Sequence, residues 1–383
     1  MSNCYIYFYD GHLSVSPTTI SLAQAMSKVF EEVVVFTKDT CFDRYQFEEK
    51  NVISVYMNDL FMFGRKIGRL RFFIGVLKYL LRNKTSKEDM FICIDDRPLL
   101  YVDKIRKWLK IPFVFLSLEL FVNKKYSKKQ KEAFKNSKAI LIQDEQRLKT
   151  LLNGYEDVNN SAKQEIFWVP NVSTTNDKKH QNLENVVEQF KNLPANKTIC
   201  ASIGMINDFV YSKEIAEVFG KIDNAILIFH DRGKINTEDS YVKEVIAANN
   251  YHNLYLSGKV YDYADIAYVY EPIGIGIAAY HAPDDKYDFI GHASGKLTFY
   301  LKYRKPVIVN RLDGFSDIIE KYDCGVIIDD INNVEEWRNA INKINCNYEY
   351  YSNNSHRCFM EEFDFMTKIQ PFCDFARKIT NQN

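Results

Sequence analysis

Apolar, strand-like runs and amphipathic, helix-like runs take turns along almost the whole chain, and this alternation restricts the fold more than any other feature. Cys4–Tyr9 is an apolar run, Asp10–Pro17 a Gly-containing loop, and Thr18–Phe30 a helical stretch with Ile20, Leu22, Ala23, Met26 and Phe30 at helical spacing. Val33–Thr37 follows as a β-branched strand. Strand, turn, helix, strand at this spacing is a βαβ unit. The pattern continues through strands at Met90–Ile94, Pro112–Leu118, Ala139–Gln143 and Ile166–Val169, with a helix at Tyr101–Leu109. Strands this apolar belong to a parallel sheet covered on both faces.

The polar stretch Ser173–Asn182 interrupts the pattern, and the alternation then restarts. Strands are expected at Thr198–Ile203, Ala225–Phe229, Leu254–Leu256, Gly274–Ala279, Pro306–Val309 and Val326–Ile328. Helices are expected at Lys213–Phe219, Asp262–Val269, Gly295–Leu301 and Val334–Ile344. With 383 residues, the chain is long enough for two α/β domains. The expected division is residues 1–172, residues 173–345, and a helical tail, 346–383, packing back toward the first domain. The sequence has no repeat of solenoid period. A hydrophobic fraction of 46% with 14% aromatic residues excludes a disordered chain.

Net charge is zero, yet residues 1–175 hold 27 basic against 20 acidic residues, so the first half is basic and the second acidic. The two halves therefore face different partners. The eight cysteines have no C-x-x-C pair and no disulfide-framework spacing, and MSNCYIYFYD is not a secretion signal. The expectation is a cytoplasmic protein with reduced thiols. The seven histidines are scattered without ligand spacing, so no metal site is expected.

In doubly wound sheets, ligands bind beyond the carboxyl ends of the strands. In GHASGKLTFYLKYRKP, residues 291–306, the segment Ser294-Gly295-Lys296 falls where a helix begins. Free backbone N–H groups and the helix dipole favour an anion there. A serine hydroxyl and a lysine charge suit a diphosphate, although Ser294 is equally a favoured N-cap.

The run SGKLTFYLKYRKPVIVNRLDGFSDIIEKYDCGVIID, from Ser294 onward, resembles the donor-binding half of GT-B glycosyltransferases of the family 4-like, group 1-like kind. EIFWVPNV (165–172) is similar to their interdomain Pro-Asn segment, and LYLSGKV (254–260) to their loop under the nucleotide base. AFKNSKAILIQDEQRLKTL (133–151) is similar to the last acceptor-domain strand and helix. The resemblance implies an α/β chain of two Rossmann-like, doubly wound domains facing across a cleft. It implies transfer of a sugar from a nucleotide-diphosphate donor to a glycan or lipid-linked saccharide, in capsule or O-antigen synthesis. The nucleotide sugar is then a co-substrate, with no further cofactor. It assigns the donor to Gly204, Val260, Tyr261, Ser294, Gly295, Lys296 and Asp313. Arg232, in HDRG beyond the strand Ala225–Phe229, stands at a strand's carboxyl end, where its forked donors suit the donor phosphates, although the position equally suits an exposed arginine with no function. Many retaining members carry two glutamates eight positions apart, where this chain has Gly291 and Phe299. Asp284, Asp285 and Asp288 are then candidates for binding donor hydroxyls.

The resemblance gives the acceptor to the first domain. A general base there must reach the attacking hydroxyl. Asp10 and His12, just beyond the first strand, are the leading candidates; Asp95, Asp96 and Glu119 stand at later strand ends.

Residues 63–84 contain seven basic and no acidic residues, with Ile67, Leu70, Phe73, Ile74, Leu77, Leu80 and Leu81 at helical spacing. Such a helix can lie on an anionic membrane surface. Nucleic acid is a poor partner for a chain whose second half is acidic and lacks a recognition motif. Two rival readings share the fold: a sugar-nucleotide 2-epimerase and a non-catalytic, transferase-derived binding subunit.

Overall fold

The computed structural model describes residues 2–39, 44–58, 65–120, 124–155, 164–172, 174, 193–194, 196–231, 235–250, 252–257, 266–282 and 288–381. The chain forms two units, Met1–Thr174 with Asp364–Asn383, and Thr175–Phe363.

The first unit opens with β1 (Asn3–Tyr7) and α1 (Pro17–Met26), whose leading proline supplies helical φ where no N–H is needed. Then come β2 (Glu32–Asp39), β3 (Val52–Asn58), α2 (Arg65–Arg82), β4 (Met90–Ile94) and α3 (Leu99–Leu109). β5 (Phe113–Leu116), α4 (Lys128–Lys135), β6 (Ala139–Ile142), α5 (Glu145–Gly154) and β7 (Glu165–Trp168) complete the alternation. All seven strands are parallel, in the order β3-β2-β1-β4-β5-β6-β7. Sequence reading missed β3. It is an edge strand with Ile53 exposed, so it lacks the continuous apolar run of its buried neighbours.

The second unit starts with β8 (Thr198–Ile203), α6 (Ser212–Phe219), β9 (Ala225–His230), α7 (Ser240–Asn249) and β10 (Leu254–Ser257). It continues with α8 (Ala267–Tyr270), β11 (Ile275–Ala278), α9 (Gly295–Lys302), β12 (Val307–Asn310) and α10 (Asp313–Tyr322). It ends with β13 (Gly325–Ile328), α11 (Val334–Cys346), α12 (Tyr348–Cys358) and a π-helical turn, Phe359–Phe363. The six parallel strands run β10-β9-β8-β11-β12-β13, which is the Rossmann strand order. Of the helix expected at 262–269, only its end falls within α8, and residues 261–265 lie outside the described residues.

A last helix, α13 (Phe365–Asn381), belongs to the first unit and packs on α1 and β7. Phe372 and Phe375 meet Phe167 of β7, with ring centroids 5.5 and 5.2 Å apart. Covered by the sheet on one side and α13 on another, α1 has nine of its ten residues buried, including Thr18 and Ser21. Those hydroxyls are satisfied by the Pro-Asn segment: Thr18 donates to Asn171 Oδ1 (2.7 Å) and Ser21 to the Val172 carbonyl (3.1 Å).

Candidate functional site

The strand order of the second unit reverses direction between β8 and β11, and this is where a doubly wound sheet leaves a crevice. These two strands pair only at Cys200 and Ala201, against Ile275 and Gly276. Past that point their backbone groups need other partners. Tyr300 of α9 supplies them: its hydroxyl donates to the Ala201 carbonyl (2.6 Å) and accepts from the Ile203 N–H (2.9 Å). Gly276 makes room for the ring, since a Cβ there would lie 2.3 Å from it. α9 is thereby keyed to the switch point.

The start of α9 carries the chemistry. Ser294, 1% exposed, caps the helix by accepting from the Leu297 N–H (3.2 Å), and its Oγ lies 3.1 Å from the Tyr280 hydroxyl. Lys296, in the first turn, turns back to donate to Ser202 Oγ (2.9 Å). Gly204, at φ +124°, stands beside it; a Cβ there would be 3.1 Å from Lys296 Cε. Gly204, Ser294, Gly295 and Lys296 therefore come together. A lysine in a first helical turn opposes the helix dipole, which favours acidic side chains or bound anions at that end. Burial pushes Lys296 down to about 7, with Asp231 acting in the opposite direction. An anion laid on this helix end would relieve both penalties.

Beyond the carboxyl ends of β11, β12 and β13 lies a cavity of about 410 Å³, lined by Tyr211, His281, Asn310, Arg311 and Asp329 among others. Asn310 pins its rim by accepting from the Tyr280 N–H and donating to the Tyr280 carbonyl, both at 3.0 Å. Sequence reasoning missed Ser202, Tyr280 and Asn310; only Asn310, a polar residue ending the apolar run VIVN, left a signal. Asp313 is exposed in the first turn of α10 and does not line this cavity. Arg232, Val260, Tyr261, Asp284 and Asp285 lie outside the described residues.

The two positions where the resemblance set out above places glutamates are closed to a side chain at one and buried at the other. A Cβ on Gly291 would lie 2.1 Å from the Gly314 carbonyl oxygen. Phe299 is 1% exposed and stacks with Tyr270.

In the first unit the order reverses between β1 and β4, and the candidate acids cluster beyond those strands. Asp10 pairs with Arg97 Nη1 at 2.6 Å, and burial raises its pKa despite that pair. His12 is half-buried just before a single 3-10 turn, Leu13–Val15; burial, then the Lys38 charge, lowers its pKa. Asp95, at φ +60°, accepts from the N–H groups of Leu118 (2.8 Å) and Glu119 (2.9 Å). Its burial raises it to about 7, while those N–H groups act to lower it. Asp96 is buried and ion-paired with Lys124, and Glu119 is exposed. Among the described residues, no group of three or more His, Cys, Asp or Glu side chains could hold a metal ion.

No family model matches the chain, and no curated protein matches it in sequence. Solved structures do match in fold. A sucrose-phosphate synthase from Thermosynechococcus elongatus superposes with a TM-score of 0.75 at 12% identity, covering 100% of both chains. A glycosyltransferase from Rickettsia africae gives 0.73 at 12% identity, covering 100% of this chain and 99% of the other. Anabaena HepE, in complex with UDP-glucose, gives 0.68 at 12% identity, covering 99% and 100%. At such identities the likeness is one of fold, and the fold is that of the GT-B glycosyltransferases.

Proposed function

We propose that this chain is a glycosyltransferase that moves a sugar from a nucleotide-diphosphate donor to a glycan or lipid-linked saccharide, in the assembly of a bacterial surface polysaccharide. The carrying observation is the half-buried Lys296 at the start of α9, between Ser202 and Gly204, set against the helix dipole. The donor diphosphate lies on this helix end. Lys296 and the N–H groups of Gly295 and Lys296 take up the negative charge that develops as the bond between the anomeric carbon and the diphosphate oxygen breaks. A protein-bound metal is no part of this reading. HepE is described in complex with UDP and with UDP-glucose, which favours a UDP-sugar here.

The acceptor belongs to the first unit, where Asp10 or His12 receives the proton of the attacking hydroxyl as its oxygen bonds to the anomeric carbon. Asp96 and Glu119 remain alternatives. The reading is cytoplasmic and peripheral. No described helix is long and apolar enough to cross a membrane, but α2 exposes Ile67, Leu70, Ile74 and Leu81 on one stripe. Arg71, Lys78 and Arg82 flank that stripe, a pattern that suits an anionic leaflet.

Thermal shift with UDP, GDP, ADP and CMP on wild type and on Lys296→Ala tests the donor site. One diphosphate is expected to stabilise the wild type with mass-action dependence and to lose that effect in the variant. Indifference to all four at millimolar concentration would overturn the reading. Donor turnover without any acceptor would point instead to an epimerase.

A further inference from the structure

The opposite edge of the first sheet, at the amino ends of β5, β6 and β7, holds a second charged feature: a cavity of about 630 Å³. Arg106 and Lys107 from the last turns of α3, Lys110 from the turn into β5, and Lys135 and Lys138 flanking the α4–β6 turn line it, and no carboxylate does. The buried Asp103 lies beneath. It accepts from Arg106 Nε (2.9 Å) and Asn136 Nδ2 (3.0 Å) and pairs with Lys107 (2.8 Å), so it fixes three wall residues from below.

Cations at helix carboxyl ends are ordinary, and α3 and α4 both end here. The balance nevertheless fails. Two helix ends of roughly half a charge each, with one carboxylate, offset about two of the five cations. Lys110, Lys135 and Lys138 have no carboxylate partner among the described residues, and the Nη atoms of Arg106 are not engaged there. A planar guanidinium fork held from its Nε side, with three lysines around it, is the chemistry that recognises phosphoryl oxygens.

We propose that this cavity binds a multiply charged phosphate-class oxyanion, at a site separate from the donor helix of the second unit. The phosphate can belong to a soluble polyphosphate or to a lipid headgroup, and two arms of one experiment distinguish these sources. In the first, the full chain is titrated calorimetrically with inorganic pyrophosphate at fixed ionic strength. The variants are Lys110→Gln/Lys138→Gln, two exposed positions whose change leaves the fold intact, Arg106→Lys, and Lys296→Met. A saturable event that survives in Lys296→Met is expected to weaken at least tenfold in the double variant, and to weaken also in Arg106→Lys, which keeps the charge but loses the fork. In the second, flotation compares vesicles of phosphatidylcholine with and without phosphatidic acid, whose phosphomonoester headgroup carries up to two negative charges. Pyrophosphate-sensitive flotation that needs Lys110 and Lys138 assigns a lipid headgroup; flotation indifferent to the double variant assigns a soluble ligand, provided the titration behaves as expected. Pyrophosphate binding that disappears in Lys296→Met and is unchanged in the double variant overturns the proposal, as does binding in neither arm.

Discussion

Lys296 and Asp95 are mirror images in their protonation. Lys296 titrates near 7 in the folded chain, below its ordinary value near 10.5. Between those values the unfolded chain binds more protons, so this group makes stability rise with pH from about 7 to about 10.5. Asp95 is raised from 3.8 to about 7, the folded chain binds the extra proton, and its contribution makes stability fall as pH rises through that window. Lys296→Met should remove the first slope and Asp95→Asn the second, as read by urea unfolding at stepped pH. Asn keeps an acceptor for the Leu118 and Glu119 N–H groups and tolerates the left-handed backbone at this position, whereas Asp95→Ala should cost about 1–3 kcal/mol. A bound diphosphate favours charged Lys296, so the wild type's nucleotide affinity should weaken as pH rises above 7, and in Lys296→Met binding should be lost at every pH. The helix start at Ser294, Gly295 and Lys296 was legible in sequence because a serine cap ahead of an amphipathic run is a local pattern. Ser202 and Tyr280 were not, because only the strand pairing brings them to that helix. The positive φ of Asp95 likewise left no mark, since aspartate is common in ordinary turns.

Among the elements, α9 does more than present a helix end. Its Tyr300 replaces the ladder bonds that β8 and β11 cannot make with each other once they diverge. Tyr300→Phe leaves a buried carbonyl and a buried N–H without a partner, and should cost about 2–4 kcal/mol. It should also weaken nucleotide binding, since Ser202 lies between the two orphaned groups. Equilibrium unfolding and nucleotide titration of one variant read both effects. Gly291→Glu, which places a glutamate where the sequence resemblance expects one, should destabilise and not activate, because the Gly314 backbone occupies the space; a gain of transfer in an activity assay would contradict this. The buried strands were readable as continuous apolar runs. β3 was not, being a half-exposed edge. α10 was hidden because Asp313–Tyr322 reads as a polar loop until Phe315, Ile318, Ile319 and Tyr322 are seen to share one buried face.

At the scale of the molecule, each unit has its own core, one around Tyr5, Tyr7, Phe36 and Phe91, the other around Phe219, Phe229, Ile277 and Trp337. The restart of the alternation after the polar stretch made two units legible. The return of the chain at Asp364 was harder to place, because an amphipathic helix does not say which surface it covers. A chain ending at Phe363 should keep the second unit's unfolding transition and lose that of the first, as read by limited proteolysis and calorimetry. α13 buries Phe365, Ile369, Phe372 and Ala376 on the first unit. This arrangement also orders events during synthesis. The first half of the chain leaves the ribosome early, yet the surface of α1 and β7 stays uncovered until the second unit has been made and α13 has emerged. For that interval a nascent chain leaves Phe167 and one face of α1 without the cover of α13, an apolar surface of the kind that chaperones hold, so the first unit to be translated is the last to be finished.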